Sequence, residues 1–369
     1  MKLLKSRELP ALRMPEELGP ELILEFNYVL EGCSGLIVVD NTSMGSSKGG
    51  LRIVRTTSVD EICSLARVCT YRNALLDIPF GGGRSAIIFD YDGMNRAVKY
   101  GLLRSFSKML GSTLRRKYIV EPDLNTGSEE MKVIAEELGC WSASAGKPRE
   151  YRTKGGRKTG IPHEPEVIAL GLLHVIITAA LQLNIPLKGM KVLSVGLGVV
   201  GETLISKLAE VGAHTTGVPE SILKRENGIK DEPGINVSEI LKSDIDVIII
   251  GRQWPHTLAE RISEETDAKL VIEGEDLALG HELRDKFSKR DIMVLPDLIA
   301  NCGGTVASFC ELRGIKPATL PLMIEKRAVK STIEVLGRAE LQDMTPTEAA
   351  VQLAENKLRD GKRTPNKNI

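Results

Sequence analysis

The stretch Lys48–Asp90, KGGLRIVRTTSVDEICSLARVCTYRNALLDIPFGGGRSAIIFD, decides how this chain is read. Gly49 and Gly50 put no side chain in the way of a small molecule, and Lys48 and Arg52 add positive charge beside them. Ser58 opens a helix: Ser58 and Glu61 have the spacing of a capping box, and Ile62, Leu65, Ala66 and Cys69 recur at helical intervals. Arg72 then falls in the last turn. A cation there suits the helix dipole, and an arginine also presents a planar fork matched to a carboxylate, so two readings stand side by side. Gly81, Gly82 and Gly83 read as a hinge before Arg84, and SAIIFD after it reads as a buried strand by its branched residues. Basic residues at each junction mark the stretch as a site for an anion.

Composition narrows the remaining classes. A chain of 369 residues with 42% hydrophobic content is long enough for two cores. Its 49 basic and 49 acidic residues cancel, which gives no electrostatic reason to expect nucleic acid or an anionic membrane as partner. Aromatics at 4% argue against stacking platforms for single strands. The six cysteines (33, 63, 69, 140, 302 and 310) form no CxxC pair and no metal-ligand spacing, so reduced thiols and no structural metal are expected. Charges and prolines interrupt the first residues before a signal peptide could form, and no apolar run reads as long enough to span a membrane. The expectation is a soluble cytoplasmic protein.

Along the chain, residues from about Glu16 to Glu31 carry Leu18, Leu22, Leu24 and Phe26 in a mostly helical pattern, and CSGLIVVD from Cys33 reads as a strand. NRAVKYGLLRSFSKML is an amphipathic helix, and KYIVEPDLNTGSEEMKVIAEELG reads as strand, turn and helix, with Asp123 at the turn. Asp123 there caps the helix beginning near Ser128 or ties the turn, unless it serves chemistry. GKPREYRTKGGRKTGIPHEPEV, rich in glycine, proline and lysine, reads as a mobile linker. It sets the expected domain divisions at 1–160, 161–310 and 311–369. A helix is expected from about Pro165 to Leu183.

LKGMKVLSVGLGVVGETLISKLAEVGAHTTGVPES is the second informative stretch: a branched strand, then Gly196, Gly198 and Gly201, then a helix and a second strand ending near Glu220. The first glycine permits a tight turn. The second lets backbone approach a pyrophosphate at the helix N-terminus, and the third permits close helix-to-strand packing. Gly196, Gly198, Val199, Val200 and Gly201 are the candidate cofactor contacts, against the alternative of a packing turn with no ligand. Glu220, nineteen residues after Gly201, would accept hydrogen bonds from the adenosine ribose and repel a 2′-phosphate, which prefers NAD. Lys224 and Arg225 leave NADP open. Further strands at DVIIIG, KLVIEG and IMVLP make half or more of a doubly wound parallel sheet. The fold class is therefore α/β, with an N-terminal α/β domain and a C-terminal Rossmann domain.

The order KGG, TYRNA and GGGR resembles the substrate half of the glutamate, leucine, phenylalanine and valine dehydrogenases. Those enzymes carry KGG or GG, a helix ending TYKNA or TWKCA, and GGGK or GGAK in the same order. The resemblance implies that Arg72 stands where a lysine holds the substrate α-carboxylate and Arg84 where the catalytic lysine stands. EPDLNTG is similar to the family's PDVGT segment, which implies a proton-transfer role for Asp123, with Asn125 in place of a glycine. VIEGEDLAL is similar to a segment whose asparagine contacts the nicotinamide ribose, and Asp276 holds that place. VLPDLIANCGGTVASFCEL is similar to IPDxLxNAGGVxVSxxE, which implies that Asn301 lies near the nicotinamide and the substrate amino group. It also implies that Ser308, with Lys48, binds a side-chain carboxylate; a helical serine bonding back to the chain is the other reading of Ser308. Ile168 stands where a threonine would contact the nicotinamide amide.

These likenesses imply oxidative deamination of an L-amino acid, an acidic one favoured, with NAD and in a homo-oligomer. A guanidinium does not lose its proton in proteins, so Arg84 leaves either a slow enzyme with another base or charge stabilisation alone. A catalytically impaired relative, binding NAD or an acidic metabolite and regulating or assembling with a partner, is the alternative. Hydride chemistry on a hydroxy or imino acid, which needs no lysine base, is a third.

Overall fold

The computed structural model describes residues 2–3, 19–28, 32–90, 95–218, 244–251 and 256–363. The chain divides into two compact units. The first comprises Met1–His163, Gly304–Leu320 and Ala354–Ile369, and the second comprises Glu164–Gly303 and Pro321–Leu353.

The first unit is built on a six-stranded sheet of order β1-β2-β3-β5-β4-β6. Its strands are β1 (Lys2–Leu3), β2 (Leu22–Tyr28), β3 (Cys33–Asn41), β4 (Ser47–Val54), β5 (Gly81–Ile88) and β6 (Tyr118–Pro122). β2, β3 and β5 pair antiparallel, whereas β4 runs parallel to both β5 and β6. Helix α1 (Val59–Leu75) packs on β5 and β3 and is buried from Ile62 onward. Ile37, Val39, Leu51, Ile53, Ile87, Tyr118 and Val120 form a core with Leu103 and Phe106 of α2 (Arg96–Arg116) and Met131 and Ile134 of α3 (Ser128–Leu138). Strand alternation sends the intervening residues, Lys48, Arg52, Arg84 and Glu121 among them, to the other face.

Three expectations for this unit change. Leu22–Tyr28 is a strand, not a helix, because Leu22, Leu24 and Phe26 sit two apart and pair with β3 from Leu22↔Val39 to Tyr28↔Cys33. The triple glycine is no hinge. It lies inside β5, where a Cβ on Gly82 would stand 2.1 Å from the Thr70 backbone nitrogen of α1 and one on Gly83 2.8 Å from the Tyr118 ring. Nor is the stretch after Ala145 a mobile linker. Gly146 and Ile161 donate backbone N–H groups to Glu311 at 2.8 and 3.1 Å, and the fully buried Lys147 pairs with the same carboxylate. Two opposite charges removed from water hold each other and the segment between them.

The second unit holds a five-stranded parallel sheet of order β8-β7-β9-β10-β11. Its strands are β7 (Lys191–Val195), β8 (His214–Val218), β9 (Val247–Ile250), β10 (Leu270–Glu273) and β11 (Met293–Leu295). The strand order reverses between β7 and β9, a switch point where ligands bind in open α/β sheets. Helix α4 (Pro165–Gln182) begins with Pro at its first position, as its sequence predicts. By length and composition it is apolar enough to cross a membrane, which corrects the expectation that no run is. In the fold it is a core helix, burying Ala169, Leu172, Val175, Ile176 and Ala179 and packing on α5 (Gly198–Glu210).

The unit boundaries also differ from the expected 161–310 and 311–369. The helix Gly303–Arg313 joins the first unit from Gly304, because Ser308 and Glu311 are bonded there to His163 and to the 146–161 segment. Residues 321–353 belong to the second unit, where Ile324, Ala328 and Val335 of the helix Leu320–Gln342 are buried.

Candidate functional site

Helix α1 begins as the sequence predicts: the Ser58 hydroxyl accepts the Glu61 N–H at 3.0 Å. The Glu61 carboxylate does not reach back to complete the box. It accepts instead from Arg52 Nη1 at 2.8 Å and from the Thr57 hydroxyl at 2.8 Å. In the last turn of this seventeen-residue helix, Arg72 is 4% exposed.

The sheet face opposite the core gathers the charged candidates. Asp123 lies just beyond β6, and its Oδ2 accepts from Arg84 Nε at 3.0 Å, Arg84 Nη2 at 2.7 Å and Arg52 Nε at 2.8 Å. Charge-assisted bonds of this kind are the strong ones, and two guanidinium groups fix one carboxylate oxygen. The helix-capping reading of Asp123 is excluded, since α3 is capped at Gly127, whose N–H is taken by Glu130. Asn125 adopts φ 60°, a left-handed conformation that asparagine tolerates, and its amide donates to the Ile53 carbonyl. Arg84 Nη1 also meets Cys69 Sγ at 3.6 Å.

Gly49 and Gly50 clear space for protein rather than for ligand, contrary to expectation. A Cβ on Gly49 would stand 1.8 Å from the Gly83 carbonyl oxygen, and one on Gly50 2.7 Å from Asp123 Cβ and 3.2 Å from Arg84 Cζ. Packing of the arginine–aspartate pair against the strand demands the second glycine.

Lys48 is 1% exposed and donates to Glu121 Oε1 at 2.8 Å. Ser308 Oγ lies 2.7 Å from His163 Nε2, so its hydroxyl does not bond back to its own helix. Burial pushes the Glu121 carboxyl up, but Lys48 beside it, His163 and a hydrogen bond from Ser308 bring it below the ordinary carboxylate value. Burial lowers His163 to about 4, against the pull of Glu121 and helped by Lys48 and Lys147. The ring is therefore neutral at pH 7, and it is Lys48 and Ser308 that hold Glu121 ionised there. Between His163 Nε2 and Ser308 Oγ either atom can be the donor. Gly304 gives the ring room, since a Cβ there would lie 3.2 Å from Nδ1.

A second buried pair flanks this face. Arg67 donates from Nε and Nη2 to Asp40, each at 2.6 Å, and the Thr70 hydroxyl donates to the same carboxylate. Burial raises Asp40 in spite of Arg67.

In the second unit the glycine turn follows β7. Gly196 and Gly198 adopt φ 72° and 52°, which L side chains rarely adopt. The three glycines serve different ends. A Cβ on Gly201 would stand 2.9 Å from Leu197 Cβ, whereas one on Gly198 would meet nothing within 4 Å. Val199 is 62% exposed, Val200 is half-buried, and the first turn of α5 carries no acidic residue. Free backbone N–H groups at an open helix start, with no carboxylate to repel an anion, suit a pyrophosphate. Further on, Asn301 Nδ2 donates to Asp276 Oδ1 at 2.9 Å, so two residues expected at the nicotinamide are joined. Glu220, with Lys224 and Arg225, lies outside the described residues.

The sheet face thus brings together Lys48, Gly50, Arg84, Asp123 and Ser308, while Asn301 stands with Asp276 in the second unit. Sequence reading missed Arg52 as a partner of Asp123, and it missed Glu121 and His163 altogether. The signal for Glu121 was its place in KYIVEP, where Tyr118 and Val120 alternate with it on a buried strand.

An open glycine turn between a strand of a parallel sheet and the helix that follows is the arrangement by which dinucleotide-binding α/β domains hold a pyrophosphate. Residues 23–139 match the family model described as Glu/Leu/Phe/Val dehydrogenase, dimerisation domain. The chain is 27% identical over 332 residues to an NADP-specific glutamate dehydrogenase of Saccharolobus shibatae, covering 79% of this chain and 75% of that one. It is 26% identical over 357 residues to a phenylalanine dehydrogenase of Thermoactinomyces intermedius, covering 94% and 93%. Its fold matches a hetero-hexameric glutamate dehydrogenase from Thermus thermophilus, in a Leu-bound form, with TM-score 0.79 and 22% identity over 96% of this chain and 93% of that one. Residues 23–139 thus match the Glu/Leu/Phe/Val dehydrogenase family, and the rest of the chain is similar to its glutamate and phenylalanine members.

Proposed function

We propose that this chain is a nicotinamide-dinucleotide-dependent oxidoreductase acting at the α-carbon of an amino acid and its 2-oxo acid. The observation that carries the reading is the open turn at Gly196–Gly201, whose second glycine faces empty space rather than protein. Gly196, Gly198, Val199, Val200 and Gly201 would hold the pyrophosphate at the start of α5, with Asp276 and Asn301 toward the nicotinamide ribose. The bound nicotinamide supplies a hydride acceptor in oxidation and a donor in reduction. Glutamate and phenylalanine enzymes among the relatives support the amino-acid class. NAD is preferred on Glu220, and NADP stays open. The family model's description and the hetero-hexameric neighbour support oligomerisation, for which a homo-oligomer is our reading, and the cytoplasm remains the expected location.

In this reading Arg72 binds the α-carboxylate through its planar guanidinium. Asp123, held by Arg52 and Arg84, accepts an N–H of the substrate amino group and orients it. Arg84 does not take a proton; it stabilises negative charge developing on the attacking or leaving oxygen. Without a lysine base the turnover is slow. Replacing Arg84 by Lys is expected to raise the rate of NADH formation about 10²-fold, the usual worth of a positioned acid–base group. Initial rates with NAD and NADP over a panel of amino acids and 2-oxo acids test this. No rate above background in either direction, for the native protein and Arg84→Lys alike, overturns it.

One observation favours a second reading, a ligand-binding relative that regulates or assembles with a partner. Both candidate proton-transfer positions are committed: Arg84 cannot release a proton, and Asp123 Oδ2 already accepts three N–H groups. Saturable binding of a dinucleotide and an amino acid with no turnover would select it.

A further inference from the structure

Lys48 and Ser308 are the cation and hydroxyl on which an acidic substrate would depend, yet both are satisfied from within the protein. Lys48 Nζ lies 2.8 Å from Glu121 Oε1, and the two side chains are 1% and 10% exposed. The pairing follows from register. Gly50 of β4 stands opposite Glu121 of β6, so Lys48, Gly50 and Glu121 point to one face, and the longer lysine reaches across to the carboxylate. Ser308, fully buried, closes the other side of the group with His163 at 2.7 Å. The four side chains form a chain of alternating donors and acceptors whose net charge at neutral pH is zero.

We propose that Glu121 determines substrate specificity: its carboxylate occupies the place of a side-chain carboxylate, so the site accepts amino acids with uncharged side chains and excludes acidic ones. This rests on the reading of the sheet face as the substrate site. A tethered carboxylate competes with a free one at the high effective concentration of an intramolecular group. A glutamate side chain would have to displace Glu121 from Lys48, leaving one buried carboxylate without its cation, or lie beside it as a like charge. Breaking a buried ion pair corresponds to about 10²-fold or more in affinity. An uncharged side chain disturbs nothing in the network.

The probes are L-glutamate and its neutral isostere L-glutamine, with L-leucine as an apolar comparison, titrated calorimetrically into the full-length protein in the presence of NADH. The native protein is expected to bind one of the neutral amino acids at least about 30-fold tighter than L-glutamate, somewhat under the ion-pair limit. Glu121→Ala uncovers Lys48 and makes room beside it. L-glutamate is then expected to gain about 10²-fold in affinity and to raise the variant's thermal midpoint, while the neutral ligands change far less. Native protein that binds L-glutamate as tightly as both neutral amino acids overturns the proposal and leaves the dehydrogenase reading intact, and that comparison needs no variant to fold. A Glu121→Ala protein with an unmoved preference overturns it as well. Binding of NADH but of no amino acid by either protein overturns the substrate-site reading and this proposal together.

Discussion

In the first unit the glycines at 49, 50, 82 and 83 are each pressed against protein, with a carbonyl, an arginine–aspartate pair, a helix backbone and a tyrosine ring within 3.2 Å of the missing side chain. In the second unit Gly198 faces nothing within 4 Å and begins a helix whose next residue is 62% exposed. Both regions are glycine-rich and flanked by strand and helix. The difference teaches that a missing side chain reports close approach without saying what approaches. Where basic and acidic residues crowd the strands, the neighbour is the protein itself. Where the helix start is bare of both, room remains for a ligand.

The largest expected effect strikes the filled region. Lys147→Met leaves Glu311 charged and buried without its cation and is expected to cost about 3–5 kcal/mol. Urea unfolding measures it, and adding Glu311→Leu should recover most of the loss. A loss under about 1 kcal/mol would mean that the pair is not buried as described. Gly82→Ala comes next. Its Cβ would stand 2.1 Å from the Thr70 backbone nitrogen, and the overpacking is expected to cost about 3 kcal/mol.

A smaller effect depends on pH. His163 titrates at about 4 in the folded protein and near 6.5 when unfolded. The unfolded chain therefore takes up the proton first, so this contribution is complete above about pH 6.5 and is lost as pH falls toward 4. Glu121, held below its ordinary value, adds a loss of the same sign at lower pH. Thermal midpoints between pH 7.5 and 4.5 should fall less steeply for His163→Gln than for the native protein; parallel curves would deny the histidine this role.

Gly198→Ala is the smallest in stability and the sharpest test of the contrast. With open space around it, only the left-handed backbone opposes a Cβ, a cost of about 1 kcal/mol. Affinity for NADH, read by fluorescence titration, is expected to fall about tenfold because the methyl group enters the place of the pyrophosphate. Equal stability losses for Gly82→Ala and Gly198→Ala, with unchanged NADH affinity, would erase the difference between the two regions.

Much of the architecture could be read from residue order alone. The strand from Cys33, helix α1 with its Ser58 cap, the helix from Pro165 and the glycine turn after β7 all rest on local signals: period, caps and punctuation by glycine. Such signals act between residues a few positions apart, and they survive in any tertiary context that keeps the element. Only the tertiary structure decided that Leu22–Tyr28 is a strand, since it is pairing with a second strand, β3, that fixes it, and that the stretch around Lys147 is packed, since Glu311 is 164 residues away. The same holds for the site. Arg72, Arg84 and Asp123 could be named from their order in the chain. That Arg52 shares Asp123 with Arg84, and that Glu121 takes up Lys48, follows from sheet register, which places on one face residues that are 71 and 73 positions apart. Charge pairing between distant strands leaves no local pattern, because its energy depends on the geometry of the assembled sheet and not on neighbours in the chain.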